Sequence, residues 1–222
     1  MSNLALRESA AATWIASRLA LFYSISKEKK LSRPSRIEMK MNEKKQLQSC
    51  CSQWYSLTTK WQEKNNQSFT IANQVVNLKL QLIRDRPASH VATEVTNMKI
   101  SVQDNHQMLV EALNELGDIY RNFERLTSNF QAIRDLYVQK QQENVIICKT
   151  WTTNHFYESS LNILESYQKE LQLKKCLMEE FFRTNDREFL LFLLSAWLYQ
   201  PYLTPQLKLL LEGMLLESEL RA

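Results

Sequence analysis

Glycine is almost missing from this sequence: Gly117 and Gly213 are the only two in 222 residues. Phosphate-cradling loops, nucleophile elbows and tight hairpin turns all draw on glycine for backbone at positive φ. With two glycines there is almost nothing to build such loops from. Proline is nearly as scarce, at Pro34, Pro87, Pro201 and Pro205. Long helices with few connections need neither residue, and that is the architecture these absences leave standing. Histidine occurs three times (His90, His106 and His155) and never at metal-ligand spacing. The four cysteines, Cys50, Cys51, Cys148 and Cys176, form no C-x-x-C pair. On a helix Cys50 and Cys51 point about 100° apart, so they cannot converge on one metal. Reduced thiols suit this pattern better than disulfides. No apolar run reaches the roughly 18 residues that span a bilayer, so no transmembrane segment is expected. No motif supports a cofactor.

Charge of one sign is also lacking over most of the chain. Residues 1–45 hold ten Lys or Arg against four Glu, whereas the rest holds 18 basic and 20 acidic residues. A body so near neutrality offers no nucleic-acid-binding face. Only the N-terminal arm, residues 1–40, is basic, and a solvated or accessory arm is its plain reading. Its run LALRESAAATWIASRLALFYSISKEKK also has the composition of an organelle transit peptide or an amphipathic membrane anchor over residues 4–25.

What is present is heptad periodicity. Leu47, Cys50, Trp54, Leu57 and Trp61 alternate by three and four, and Ile71, Val75, Leu78 and Leu82 keep that phase beyond the polar KNNQS. The stripe predicts one unbroken helix or a break that restores register. RDRPAS, with Pro87, then predicts a turn. A second stripe is stronger: Val95, Met98, Val102, Asn105, Leu109, Ala112, Leu116, Ile119, Phe123, Leu126, Phe130, Ile133, Tyr137 and Lys140. Twelve of these fourteen are apolar, the signature of a left-handed coiled coil over about six heptads. Apolar Met108, Leu113, Tyr120 and Leu136 flank this seam, so its face is expected to meet more than one helix. Asn105 is the polar residue that could fix its register.

A third helix is expected over about 154–183, with Tyr157, Leu161, Leu164, Leu171, Met178 and Phe182 in a stripe that Gln168 and Lys175 interrupt. NDREFLLFLLSAWLY starts a fourth helix, where Asn185 and Glu188 have capping-box spacing. Thr204-Pro205 opens a last short one. Between Phe189 and Tyr199 the one polar residue is Ser195. A helix apolar all round is either an internal plug at the bundle end or a docking surface, since Trp197, Tyr199 and Tyr202 are residue types that anchor interfaces.

One stretch breaks the helical pattern. TWTTNHFYESS, residues 150–160, sets His155 among hydroxyls, which suggests either a nucleophile with its base or a helix start capped by Thr152 or Thr153. WTTNHFYESSLNILESYQKELQLKK, LSAWLYQPYL and LEGMLLE resemble the C-terminal half of the cyclin-dependent kinase 2-interacting protein family. WYSLTTKWQEKNNQSFTIANQVVNLKL resembles the first helical block of the same family, so the likeness covers roughly residues 42–222. The resemblance implies a non-enzymatic helical adaptor in the nucleus and also the cytoplasm. The partners it implies are cyclin-dependent kinase 2, replication and checkpoint complexes, and an AAA ATPase complex that matures the large ribosomal subunit.

The expectation is therefore an all-α chain: a basic arm over 1–40, a coiled-coil hairpin over 41–148 with helices of about 43–86 and 91–142, and a helical region over 149–222. The coiled coil would pair with a second helical subunit. Trp151, His155, Phe156, Tyr157, Trp197, Tyr199, Pro201 and Tyr202 are the candidate partner-binding residues. No catalytic, cofactor or metal residues are assigned, and neither nucleic acid nor membrane is a partner in this reading. Its rivals are a hydrolase-like enzyme centred on His155 and a protein targeted through residues 4–25.

Overall fold

The computed structural model describes residues 36–84, 92–142 and 145–220. The targeting segment 4–25, most of the basic arm and the Pro87 turn lie outside them. The chain divides into the units Met1–Asn42 and Glu43–Ala222, and the second carries the bundle. Among the described residues five α-helices follow one another: α1 (Arg36–Arg84), α2 (Ala92–Gln139), α3 (Thr153–Arg183), α4 (Arg187–Tyr199) and α5 (Pro205–Glu217). Extended pairing among the described residues is confined to one isolated antiparallel bridge, Ile146 with Thr152. The fold is all-α, with two long helices, a third long helix and two short ones.

Side-chain pairs give the order of packing. Glu43–Lys140, Trp54–Phe123 and Lys64–Glu115 set α1 and α2 antiparallel. Phe156–Phe130, Tyr167–Phe123 and Phe182–His106 set α3 antiparallel to α2. The chain then turns back as two pieces. The end of α4 reaches the middle of α1 through Trp197–Ser68 and Gln200–Trp61. The residues just past α5 reach the start of α1 through Ser218–Gln48 and Glu219–Lys44. The unit is thus an up-down-up-down bundle whose fourth position is filled by α4 and α5, broken between Gln200 and Thr204.

The α2 stripe is buried from Leu109 to Tyr137, with Leu116, Phe123, Leu126, Phe130 and Ile133 almost fully enclosed. Ahead of it Val95, Met98, Val102 and Asn105 are half-buried. The flanking positions split, because Leu113 faces in while Met108 and Leu136 stay exposed. Asn105 donates to the Ser101 carbonyl of its own helix at 2.8 Å. α1 runs through KNNQS without a break, and Asn65 and Ser68 there are buried.

The interior face of α3 departs from expectation. Its buried residues include Phe156, Ile163, Tyr167, Glu170, Lys174, Leu177 and Phe181; of the expected stripe Leu171 is buried as well, whereas Tyr157, Leu161, Leu164, Met178 and Phe182 form a half-buried flank. The true inner stripe is offset by one residue, about 100° of helix. It passes through two charged side chains, and ionised groups are almost never fully buried unless paired.

Candidate protein-interaction surface

The two breaks that frame α4 leave helix-end groups without partners inside their own helices, and buried groups of that kind must be satisfied. At the first break Lys79 of α1 donates to the carbonyls of Phe181 (2.8 Å), Phe182 (3.2 Å) and Thr184. The Lys79 ammonium therefore caps α3, where a cation also meets the negative end of the helix dipole. Burial holds its pKa below the usual lysine value. α4 then opens on Asp186, whose carboxylate accepts from the Phe189 amide at 2.7 Å. The cap lies one residue beyond the expected Asn185.

At the second break the polar groups are enclosed. Lys174 and Glu170 are both 0% exposed, with Nζ and Oε1 3.3 Å apart. Lys174 donates to the Trp197 carbonyl in the last turn of α4 at 3.0 Å, and its ammonium lies 4.8 Å from the Trp197 ring centre. Glu170 accepts the Tyr202 amide at 3.2 Å. Burial raises the Glu170 pKa, against the pull of Lys174 and the Tyr202 amide. Burial also lowers Lys174 to about 8, with Glu170 opposing. Between these anchors Gln200 takes a left-handed backbone, φ 46° and ψ 68°, a conformation that disfavours any residue with a Cβ. Its side chain holds it there. The Gln200 Oε1 accepts from Trp61 Nε1 at 2.9 Å, and Nε2 donates to Gln62 at 3.1 Å.

Outside this framework α4 is bare. Leu190, Leu193 and Trp197 face inward, and Trp197 packs against Phe181 with ring centres 5.8 Å apart. The opposite face shows Leu191 (42% exposed), Phe192 (64%), Leu198 (43%) and Tyr199 (78%), with Tyr202 (45%) just beyond. A helix apolar all round is thus buried on one side only, so it is not an enclosed plug. No charged residue stands between Glu188 and Lys208. A cleft of about 560 Å³ opens beside its C-terminal end, with Tyr167, Leu198, Tyr199, Leu203, Leu207 and Leu211 among its lining residues.

TWTTNHFYESS resolves into a helix start. Thr152 caps α3, its hydroxyl accepting from the His155 amide at 3.3 Å. Ser160 donates to the Tyr157 carbonyl, and Ser159 is buried. Trp151 packs on His155 and Phe156 with ring centres 4.8 and 5.2 Å apart. It lies over Gly213, where an added Cβ would sit 3.4 Å from the indole. Glu217 accepts from the amides of Thr150 (2.7 Å) and Trp151 (3.1 Å) and from the Thr150 hydroxyl (2.7 Å). Burial pushes the Glu217 carboxyl up, but these bonds outweigh it and leave the pKa lowered. The hydroxyls of Thr150, Thr152 and Ser160 thus serve the helix and its anchorage to α5.

The eight candidate partner-binding residues do not form one surface. Phe156 and Trp197 are fully buried and present nothing to a partner, a correction that follows from their place on the inner faces of α3 and α4. Trp151 and Tyr157 are half-buried, Tyr157 beneath the Arg134 guanidinium at 4.2 Å. His155, Tyr199, Pro201 and Tyr202 are exposed. Leu191, Phe192 and Leu198 were not among the candidates, yet they complete the outer face of α4. Their spacing with Ser195 and Tyr199, by three and four, is the signal that marks them. Among the described residues no group of three or more metal-ligating side chains gathers, and no helix is long and apolar enough to cross a membrane.

The geometry defines a helical-bundle protein with an uncharged apolar surface on its broken fourth element. Its sequence matches no family model. It is 32% identical over 191 residues to the human cyclin-dependent kinase 2-interacting protein, a match spanning 80% of this chain and 90% of that protein. The mouse protein of the same name is 33% identical with the same coverage. The Xenopus laevis one is 31% identical over 183 residues, 78% of this chain and 88% of its own. The chain belongs to the cyclin-dependent kinase 2-interacting protein family.

Proposed function

We propose that the chain is a non-enzymatic helical adaptor that pairs with a second helical protein through the free end of its α1–α2 hairpin. The observation that carries this reading is a seam that outruns the bundle. From Leu109 to Tyr137 it is covered within the chain, but α3 ends beside His106 and Val95, Met98 and Val102 stay half-covered. A partner helix laid on that end would complete the heptads as a third strand and bury their open side. The relatives are named for interaction with cyclin-dependent kinase 2, and this kinase is the first partner assigned here. The family resemblance supports two further attachments, to an AAA ATPase complex in large ribosomal subunit maturation and to replication checkpoint complexes. We place the protein in the nucleus and also in the cytoplasm. The C-terminal aromatic surface is a second contact.

The test is affinity purification of the tagged chain from its own cells, with Val102→Glu alongside. The reading expects a helical partner recovered in stoichiometric amount with the wild type and lost from the variant, with the α-helical circular dichroism unchanged. Equal recovery with both chains would overturn pairing through the hairpin end. Cyclin–kinase and checkpoint proteins in the eluate would make the chain a signalling adaptor, and an AAA ATPase would make it a subunit of a remodelling machine.

A further inference from the structure

We infer that the cleft beside the α4–α5 break takes one tryptophan side chain of a partner protein and binds its indole N–H. The tryptophan belongs to the partner at the second contact proposed above, a reading on which this assignment rests. One wall of the cleft is polar and comes from α1. Thr58 and Thr59 line it, and each hydroxyl donates its one proton to the Tyr55 carbonyl, at 2.7 and 3.2 Å. A hydroxyl so committed keeps only lone pairs to offer. Gln62 is engaged at both ends, its Nε2 on Asn66 at 3.0 Å and its Oε1 on Gln200. Tyr167 lies at the floor, 7% exposed, with its ring centre 4.9 Å from Trp61 and 4.6 Å from Phe123. No described group bonds its hydroxyl, and burial alone raises its pKa. A polar atom left at the bottom of a cleft calls for a ligand group to meet it.

The rest of the lining sets the class of ligand. Leu198, Leu203, Leu207 and Leu211 make the other wall apolar. Lys208 and Glu212, a turn apart on α5, are the charged lining residues, one of each sign. They offset one another, so the cleft favours neither a cation nor an anion. The site therefore suits a neutral apolar body that carries a donor. Tryptophan is that side chain, since its Nε1–H donates and nothing on the ring accepts. A purely apolar side chain would strip water from the hydroxyl lone pairs and return nothing. The volume of about 560 Å³ lies within the range of small-ligand sites, about 300–1,000 Å³. One turn of helix takes up on the order of 500 Å³, so the cleft suits one large side chain and not a partner helix. The cleft is also preformed. Gln200, tied to Trp61 and Gln62, fixes the turn at its edge, so little ordering opposes binding.

The test is an NMR titration of the methyl-labelled full chain with N-acetyl-tryptophanamide and with its 1-methylindole counterpart. The first probe should shift the methyls of Leu203, Leu207 and Leu211 to saturation, with a dissociation constant on the order of 0.1–1 mM. The methylated probe has lost the donor and should bind about tenfold more weakly. Tyr167→Phe should weaken the first probe about fivefold with an unchanged melting temperature, because the hydroxyl holds nothing in the fold. Leu207→Trp, which fills the cleft from its own wall, should exclude the probe and lose the partner at this surface in the affinity purification above. Absence of saturable shifts up to about 10 mM, or equal binding of both probes, would overturn the proposal. The second contact would then stand without its tryptophan if Leu207→Trp still lost a partner. A Leu207→Trp chain that excludes the probe yet recovers every partner would also overturn it, and the second contact with it. Val102→Glu keeps the hairpin apart from the cleft: it should lose the hairpin partner and leave probe affinity unchanged.

Discussion

The seam between α1, α2 and α3 and the contact of those helices with the broken fourth element are both interiors, but they are built on different chemistry. The first is built chiefly from aliphatic and aromatic side chains, Trp54, Phe123 and Tyr167 among them, in which shape and apolar area dominate. The second is apolar with buried ions set at its breaks: Lys79 where α3 ends, and Lys174 with Glu170 where α4 ends. A continuous helix satisfies its own backbone, whereas a broken one needs side chains from its neighbours. The fourth position therefore imports polarity into α1 and α3 that an unbroken helix would not have required.

The largest test of that contrast is Lys174→Met. It strands Glu170 and the Trp197 carbonyl in the interior and should cost about 3–5 kcal/mol in a urea titration. Adding Glu170→Leu should recover a good part of the loss, because a buried pair replaced as a unit leaves no lone charge. A double variant no better than the single would show that the pair contributes by itself. Lys79→Met should cost less, about 1–3 kcal/mol, since the carbonyls that it strands are neutral. In the seam the volume-conserving Leu126→Met should cost under about 1.5 kcal/mol; a larger loss there would erase the contrast. At Gln200 the order of variants matters more than the size. Gln200→Gly loses its side-chain bonds but relieves the left-handed backbone, so it should be more stable than Gln200→Ala by about 1 kcal/mol.

The cysteines add the gentlest effect. Burial raises Cys51 from 9.0 to about 12 and Cys148 to about 11, and raises Cys50 as well. The unfolded chain releases these protons near pH 9 and the folded chain releases them later. The stability they supply is therefore present below pH 9 and is lost as pH climbs through the raised values. Urea midpoints measured between pH 8 and 11 should fall less steeply for Cys51→Ala than for the wild type.

The same contrast explains what was legible in the sequence. The two long helices announced themselves because apolar spacing alone writes the seam, and Leu109 to Tyr137 are buried in the phase the heptads imply. The inner face of α3 was misplaced by one residue because its correct phase contains Glu170 and Lys174, which read as solvent positions until a broken neighbour explains them. Trp197 looked like an anchor for a partner because residue type does not reveal on which side of an apolar helix a ring lies. Thr152, by contrast, was readable as a cap from its place before a helical stripe. Gln200 carries no sequence mark, since a left-handed glutamine is held by Trp61 and Gln62, well over a hundred residues earlier.

Because α4 and α5 follow α3 in the chain, a ribosome makes them after the surface that they cover. Without them, Lys174 and Glu170 would lie on the open side of three helices, exposed to water. Their burial is matched by the Trp197 carbonyl and the Tyr202 amide. A chain cut short before Tyr202 would lack the amide that Glu170 accepts. The break in the fourth helix thus ties the burial of two charges to a turn made only after both of them.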